Sequence, residues 1–237
     1  MEYNLEKFHQ GLADLGVTLS DEQIEQFLRY YEMLVEKNKV MNLTAITEFD
    51  EVIEKHFLDS ISLCKVIDFE QKIKILDMGT GAGFPGIPLK IAFPKAEIVL
   101  ADSLNKRILF LDEVIDALKL EKITTIHARA EELGRNKEYR EQFDLCVSRA
   151  VANLSTLSEY CIPFVKVNGK FISYKSGEIE EEVNNAKHSI SVLGGKVADV
   201  HKFDLYEQKR SFVIINKVKQ TPKAYPRKAG TPTKMPL

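Results

Sequence analysis

The sequence predicts an α/β protein built on a mostly parallel sheet with helices on both faces. Three observations carry that expectation. From Lys72 onward, five short, β-branched apolar runs alternate with helix-patterned stretches. A glycine-rich turn, Gly79-Thr80-Gly81-Ala82-Gly83, follows the first of those runs. Ahead of them, no Gly or Pro interrupts residues 17–78, and the apolar residues recur at helical spacing. Strict alternation of strand and helix means βαβ crossovers, which put helices on both faces of a parallel sheet.

The elements follow in order. Ser20-Asp21-Glu22-Gln23 has the form of a capping box, with Ser20 as the cap and Gln23 reaching back. The helix it opens carries Ile24, Phe27, Leu28, Tyr31, Leu34 and Val35 on one apolar face. A further helix is expected after Thr47, a candidate cap, because Val52, Ile53, His56, Phe57 and Ser60 repeat with the same period. Strands are expected at Ile73–Met78, Glu97–Asp102, Thr124–Ala128, Asp144–Ser148 and Lys170–Tyr174. Between them, Lys106–Leu118 and Val151–Val165 carry helical patterns. Gly194-Gly195 introduces Lys196–Phe203, and Arg210–Val218 follows, a final strand pair that brings the sheet to seven. Thr221–Leu237, with four prolines, four Lys or Arg and no periodicity, reads as an extended tail on the surface. The chain thus divides into a helical segment (1–68), an α/β core (69–220) and a basic tail packed on that core (221–237).

At 237 residues, 44% hydrophobic and 29% charged, the chain is globular in composition and long enough for one large domain with a helical appendage. No apolar stretch approaches the ~18 residues that span a bilayer, so no membrane helix is expected. Met1-Glu2-Tyr3-Asn4-Leu5-Glu6 lacks a basic region followed by an apolar one, so no secretory signal is expected either. Cys64, Cys146 and Cys161 cannot all pair and show no C-x-x-C spacing. That argues against a disulfide framework or a cysteine zinc site and fits a reducing cytoplasm. No His, Cys and Asp cluster has ligand spacing, so no metal is expected. The charge is uneven. Gln208 to Leu237 holds eight basic residues and no acidic one; since the whole chain is −2 and this stretch is +8, the remainder is −10. A basic end on an acidic body suits a phosphate-bearing partner, whose counterions it would release.

The stretch Asp77-Met78-Gly79-Thr80-Gly81-Ala82-Gly83-Phe84-Pro85-Gly86 leads from the first strand into the next helix. In an open parallel sheet, ligands bind outside the carboxyl ends of the strands, where this turn lies. Two cofactor classes compete. Gly81, Gly83 and Gly86 satisfy the G-x-G-x-x-G of a dinucleotide fold. They start four residues beyond Asp77, however, and Pro85 interrupts the helix start. Counted from the strand end, the pattern is D-x-G-x-G-x-G, which resembles the first motif of class I S-adenosylmethionine-dependent methyltransferases. That resemblance implies a loop wrapped round the methionine part of the cofactor, with Asp77 orienting its amino group. Asp102 ends the second strand 21 residues after Gly81. A carboxylate there accepts from both ribose hydroxyls in either class, and it also suits a cap for the helix starting near Leu104. The third strand leads to Ala128-Arg129-Ala130-Glu131, the turn that contacts adenine in class I methyltransferases. Glu131 is equally a first-turn acid favoured by the helix dipole.

The fourth strand ends Cys146-Val147-Ser148-Arg149-Ala150-Val151. The N-P-P-[YF] of enzymes that methylate exocyclic amines is absent here. Enzymes that methylate pyrimidine C5 need a cysteine nucleophile, and Cys146 sits mid-strand among apolar residues, a core position. By elimination the acceptor is an atom that is already nucleophilic. Guanine N7 fits, because it carries a lone pair and no proton and needs no general base. Arg149, at the carboxyl edge of the sheet, is the candidate catalytic residue, placed to pair with a cofactor carboxylate or an RNA phosphate; a surface ion pair is the plainer reading.

Over nearly its whole length the chain resembles the ribosomal small-subunit RNA methyltransferase G family, also called glucose-inhibited division protein B. The match runs through Met41-Asn42-Leu43-Thr44, Lys55-His56-Phe57-Leu58-Asp59-Ser60, residues 77–88, Asp102-Ser103 with Lys106-Arg107, and Arg129-Ala130-Glu131. It continues in Ser148-Arg149-Ala150-Val151-Ala152 and Tyr225-Pro226-Arg227-Lys228-Ala229-Gly230-Thr231-Pro232. The resemblance implies the class I, Rossmann-like methyltransferase fold with S-adenosylmethionine as donor, and N7 methylation of one guanine in 16S rRNA. By position it implies Gly79, Phe84, Ala130, Glu131 and Arg149 as cofactor contacts, beside Asp77, Gly81 and Asp102 from the loop and strand reading.

The partner expected is 16S rRNA or the small ribosomal subunit, with no membrane and no obligate protein partner. His56, Lys106, Arg107, Lys175, Arg227 and Lys228, with Asn42, are the candidates for an RNA groove where a target base is splayed out. His56 is alternatively a packed, hydrogen-bonded histidine. Neutralising Arg227 and Lys228 is expected to weaken RNA binding and spare the cofactor. Two other functions compete: a non-catalytic RNA-binding assembly factor and a nicotinamide-dependent oxidoreductase.

Overall fold

The computed structural model describes residues 3–149 and 152–237. Met1 and Glu2, in the stretch read for a signal, and Ala150 and Val151, inside the motif that follows Ser148, lie outside the described residues.

Helix α1 spans Glu6–Asp14 and α2 spans Asp21–Met41. Ser20 caps α2 through a complete capping box, and the Gln23 side chain also donates to Ile91 O at 2.6 Å, tying the helix start to the core. The buried face of α2 is Phe27, Tyr30 and Leu34; Tyr31, expected there, lies only partly buried beside it. Next come α3 (Phe49–Val52), a π-helical turn (Ile53–Leu58), α4 (Asp59–Ile61) and a 3₁₀ turn (Ser62–Lys65). Thr47 is not the cap: Glu48 holds that position without a side-chain bond, and the Thr47 carbonyl accepts from Tyr31 Oη at 2.9 Å. The π turn falls where the sequence pattern reads as plain helix, and it carries His56. π turns of this kind recur at functional sites.

The strands are β1 (Lys74–Met78), β2 (Glu97–Asp102), β3 (Ile123–His127), β4 (Phe143–Arg149), β5 (Val165–Ser176), β6 (Gly195–Leu205) and β7 (Gln208–Lys217). Among the described residues they form one seven-stranded sheet of order β3-β2-β1-β4-β5-β7-β6. The first five strands are parallel, and β7 inserts antiparallel between β5 and β6. The crossovers are α5 (Gly86–Ala92), α6 (Asn105–Ala117), α7 (Ala130–Leu133) and α8 (Leu154–Cys161), followed by α9 (Glu180–Val192) and, in the tail, α10 (Thr231–Lys234). Helix α8 is shorter than the apolar pattern suggested. Asn153 caps its start, accepting from Thr156 N at 3.0 Å, and Pro163 lies in the 3₁₀ turn that replaces its end.

Alternate strand residues face opposite ways and divide the core in two. Ile75, Val147 and Ile172 join α5, α6 and the N-terminal helices on one face. Leu76, Cys146 and Phe171 join α8 and α9 on the other. Phe8, Phe27 and Phe57 thus belong to the same apolar cluster as the sheet, so residues from 1–68 close one face of the α/β core. No described helix is long and apolar enough to cross a membrane.

Candidate active site

The strand order reverses between β1 and β4, and the crevice at that switch point is where an α/β sheet receives a ligand. A cavity of about 550 Å³ opens there, and the glycine turn forms its floor. Gly79 N and Thr80 N both donate to Ala101 O, at 2.8 and 3.2 Å, which pins the turn to β2. Gly79, Gly81 and Gly83 have φ of +72°, +64° and +108°, values that L side chains rarely adopt. Asp77 braces the turn from behind. Its Oδ2 accepts from Thr80 Oγ1 at 2.6 Å and from Gly86 N at 2.8 Å, while Oδ1 has no partner among the described residues. Full burial pushes its carboxyl up to about 7, against those two hydrogen bonds. Asp77 is not among the residues lining the cavity. The Gly86 contact also bears on the dinucleotide reading: a carboxylate already holds the first amide of α5, where that fold receives pyrophosphate.

Tyr30 supports the turn from α2. Its hydroxyl, fully buried, donates to Ala82 O at 2.6 Å. The sequence reading left Tyr30 out of the apolar face, although its spacing from Phe27 and Leu34 was the available signal.

Asp102, at the end of β2, is buried and lines the cavity. Its Oδ2 accepts from Gly81 N at 3.0 Å and its Oδ1 from Leu104 N at 2.9 Å, so it serves both the glycine turn and the start of α6. Arg107 Nη1 lies 3.2 Å from Oδ2. Ala130 and Glu131 line the same end, and Glu131 Oε1 accepts from Gly230 N at 2.8 Å. Tyr160 and Thr233, whose hydroxyls meet at 2.8 Å, complete that wall. The contribution of Gly230 and Thr233 was not read from the sequence.

The opposite end is electrostatic. Arg149 donates to Lys55 O at 2.9 Å and to Asp59 Oδ2 at 3.0 Å, and its Nη2 lies 3.1 Å from His56 Nδ1. Arg210 also binds Asp59, through Nε at 2.6 Å and Nη2 at 2.9 Å. Two guanidinium groups therefore share one buried carboxylate, which leaves a net positive charge beside the cavity. The pairing of Arg149 is buried, not a surface ion pair: its side chain is 12% exposed and that of Asp59 is 4%. His56 Nδ1 lies 3.1 Å from both Arg149 Nη2 and Lys55 O, and Nε2 lies 2.9 Å from Thr44 Oγ1, so each ring nitrogen is engaged whichever carries the proton. Burial first, and then the Arg149 charge, lower the imidazole to about 4. The Phe84 ring underlies both groups, stacked on His56 at 4.5 Å and 5.0 Å from the guanidinium carbon.

The cavity gathers Gly79, Gly81, Phe84, Asp102, Ala130, Glu131, Arg149, His56 and Arg107. The remaining RNA candidates are not among the residues lining the cavity. Lys175 binds Ala152 O and Glu182, and Arg227 is ion-paired with Glu159. Lys106, Lys228 and Asn42 are exposed. Cys146 is fully buried in the sheet. Among the described residues, no group of three or more His, Cys, Asp or Glu side chains could hold a metal.

A family model described as rRNA small subunit methyltransferase G matches residues 23–213. A protein of Lachnoclostridium phytofermentans called ribosomal RNA small subunit methyltransferase G is 54% identical over 232 residues, 97% of this chain and 96% of the relative. One of the same name from Bacillus subtilis is 50% identical over 236 residues, 99% of each. Among solved structures, M. jannaschii TYW2 in complex with AdoMet superposes with a TM-score of 0.56 at 17% identity, covering 73% of this chain and 80% of that one. TrmN from Thermus thermophilus gives 0.52 at 13%, covering 70% and 53%. At such identities the structural likeness bears on the fold alone.

Proposed function

We propose a function from one premise: the chain belongs to the rRNA small subunit methyltransferase G family. On that premise the protein methylates ribosomal RNA with S-adenosylmethionine as donor, and we assign the acceptor as N7 of one guanine in 16S rRNA.

The cavity fits such a donor. The glycine turn presents backbone in place of side chains, and a Cβ at Gly81 would meet none of the described residues within 4 Å. Asp102 supplies acceptors for vicinal hydroxyls at the end walled by Ala130, Glu131 and Tyr160. At the other end, the excess charge of Arg149 and Arg210 over Asp59 suits a ligand carboxylate or an RNA phosphate. When bound, S-adenosylmethionine supplies an electrophilic methyl group.

The choice of N7 rests on one observation: both ring nitrogens of His56 are engaged, Nδ1 by Arg149 and Lys55 O and Nε2 by Thr44. Asp59 is doubly ion-paired, and Asp77 sits behind the turn. The described residues at this end thus offer no free general base. An exocyclic amine or hydroxyl acceptor would need to lose a proton, whereas N7 attacks with a lone pair that carries none. What the protein must then supply is alignment of the acceptor with the methyl group and exclusion of water.

The test is to compare 16S rRNA from cells with and without this gene. N7-methylguanine makes the chain cleavable after borohydride and aniline treatment. One cleavage site is expected to vanish with the gene; an unchanged pattern contradicts the assignment.

A further inference from the structure

The C-terminal tail is built into the cavity wall. Arg140 anchors its first part, donating to Thr221 O at 2.7 Å and to Tyr225 O at 2.8 Å, and Arg135 holds Pro226 O at 2.7 Å. Arg227 then turns inward. Its backbone N donates to Glu159 Oε1 at 2.6 Å, and its guanidinium grips both carboxylate oxygens, with Nε 3.0 Å from each and Nη2 2.7 Å from Oε2. The Glu159 side chain is 1% exposed. Three residues on, Gly230 N reaches Glu131, Thr156 Oγ1 holds Pro232 O at 3.0 Å, and Thr233 meets Tyr160. Gly230 and Thr233 thereby face the cavity alongside Glu131 and Tyr160.

We infer that the tail is a working part of the cofactor site, and that Arg227 is a positioning residue for its nucleoside end. The inference rests on reading the cavity as the S-adenosylmethionine site. A charged pair held by several hydrogen bonds, with its carboxylate buried, fixes geometry more firmly than a surface pair does. Here it fixes α8, which carries Tyr160, against the segment that carries Gly230. Glu131 then has one oxygen committed to the tail, so its remaining oxygen keeps one orientation. A wall set before the ligand arrives spares the ligand the cost of ordering it. The charge of Arg227 is engaged inside the fold, so its neutralisation should act on the cofactor and not on RNA, the reverse of what the +8 stretch suggested.

The experiment measures S-adenosylhomocysteine binding to the full chain by equilibrium dialysis, rRNA binding by filter retention, and the thermal midpoint. Four variants are compared with the unaltered protein. Arg227→Met combined with Glu159→Gln removes both charges together, so that no buried carboxylate is left alone. Its cofactor Kd is expected to rise about tenfold with rRNA binding unchanged. Arg227→Lys, which keeps the charge but not the fork, is expected to recover part of that loss. Thr233→Ala, exposed and remote from the core, is expected to weaken cofactor binding about threefold with an unchanged midpoint, a result open even if the paired variant folds poorly. Lys223→Ala, on the exposed start of the tail, is expected to match the unaltered protein. If the paired variant and Thr233→Ala both bind cofactor as tightly as the unaltered chain, or lose only rRNA binding, the inference is overturned. An unaltered chain that takes up no cofactor overturns the reading of the cavity itself.

Discussion

Arg149 Nη2 and His56 Nδ1 lie 3.1 Å apart, and the guanidinium charge adds to burial in holding the imidazole neutral. The contact joins two segments distant in sequence, the π turn after α3 and the end of β4, at one end of the cavity. It also gives the site a measurable acid–base signature.

In the folded chain His56 is lowered to about 4, whereas unfolded it titrates near its ordinary 6.5. Below that ordinary value the unfolded state takes up a proton that the fold refuses. The contribution of His56 is therefore complete above about pH 6.5 and lost as pH falls toward 4, roughly 3 kcal/mol in all. Asp77 works in the opposite sense. Its carboxyl, raised to about 7 from 3.8, keeps a proton in the fold that the unfolded chain releases, so stability is lost as pH rises through that window. Urea midpoints across this range should separate the two. Relative to the unaltered protein, His56→Gln should lose its deficit as pH falls, and Asp77→Asn should gain as pH rises. Variant curves parallel to that of the unaltered protein would contradict both assignments.

Two glycines of one turn are expected to fail differently. A Cβ on Gly83 would lie 2.7 Å from both Ile87 Cγ1 and Tyr30 Oη, and its φ is +108°. Gly83→Ala should therefore destabilise the fold by several kcal/mol, from overpacking together with backbone strain. Gly81→Ala meets open space and should cost only about 1–2 kcal/mol from its left-handed backbone, while obstructing the cofactor. Thermal melts and cofactor titrations on the two variants check the contrast; equal losses of stability would refute it.

Tyr30→Phe removes one oxygen and leaves Ala82 O without the hydrogen that Tyr30 supplies. A loss of about 1–3 kcal/mol is expected from leaving that buried carbonyl unsatisfied, together with a weaker cofactor Kd, because the turn loses its support from α2. Denaturant unfolding and titration measure the two effects. An unchanged Kd would show that the turn holds its place without Tyr30.

Asp102→Asn keeps the shape but replaces one acceptor oxygen with a donor. Cofactor affinity should fall about tenfold or more, since charge-assisted hydrogen bonds are worth about twice neutral ones. Dialysis against S-adenosylhomocysteine measures this, and wild-type affinity in the variant would remove Asp102 from the site.

What the sequence revealed and what it hid follow a physical division. The βαβ grammar, the capping box at Ser20 and the glycine turn are local: each is set by residues within a few positions, and each is found where it was expected. Asp102 was legible because a strand end places its last side chain at the sheet edge. Tyr30 shares the helical spacing of Phe27 and Leu34, but its role in the turn was hidden because its partner, Ala82 O, lies 52 residues away. The pairing of Arg227 with Glu159, 68 residues apart, and of Lys175 with Glu182 could not be read from charge alone, which counts cations without saying which are neutralised. The π turn at His56 was hidden because its apolar spacing passes for ordinary helix.

The most direct measurement supplies the purified protein with S-adenosylmethionine labelled in its methyl group and with 16S rRNA or small subunits from cells lacking the gene, then digests the RNA to nucleosides. The account predicts label in 7-methylguanosine and in no other nucleoside. Label in an exocyclic amine or a pyrimidine, or no label on either substrate, would contradict it.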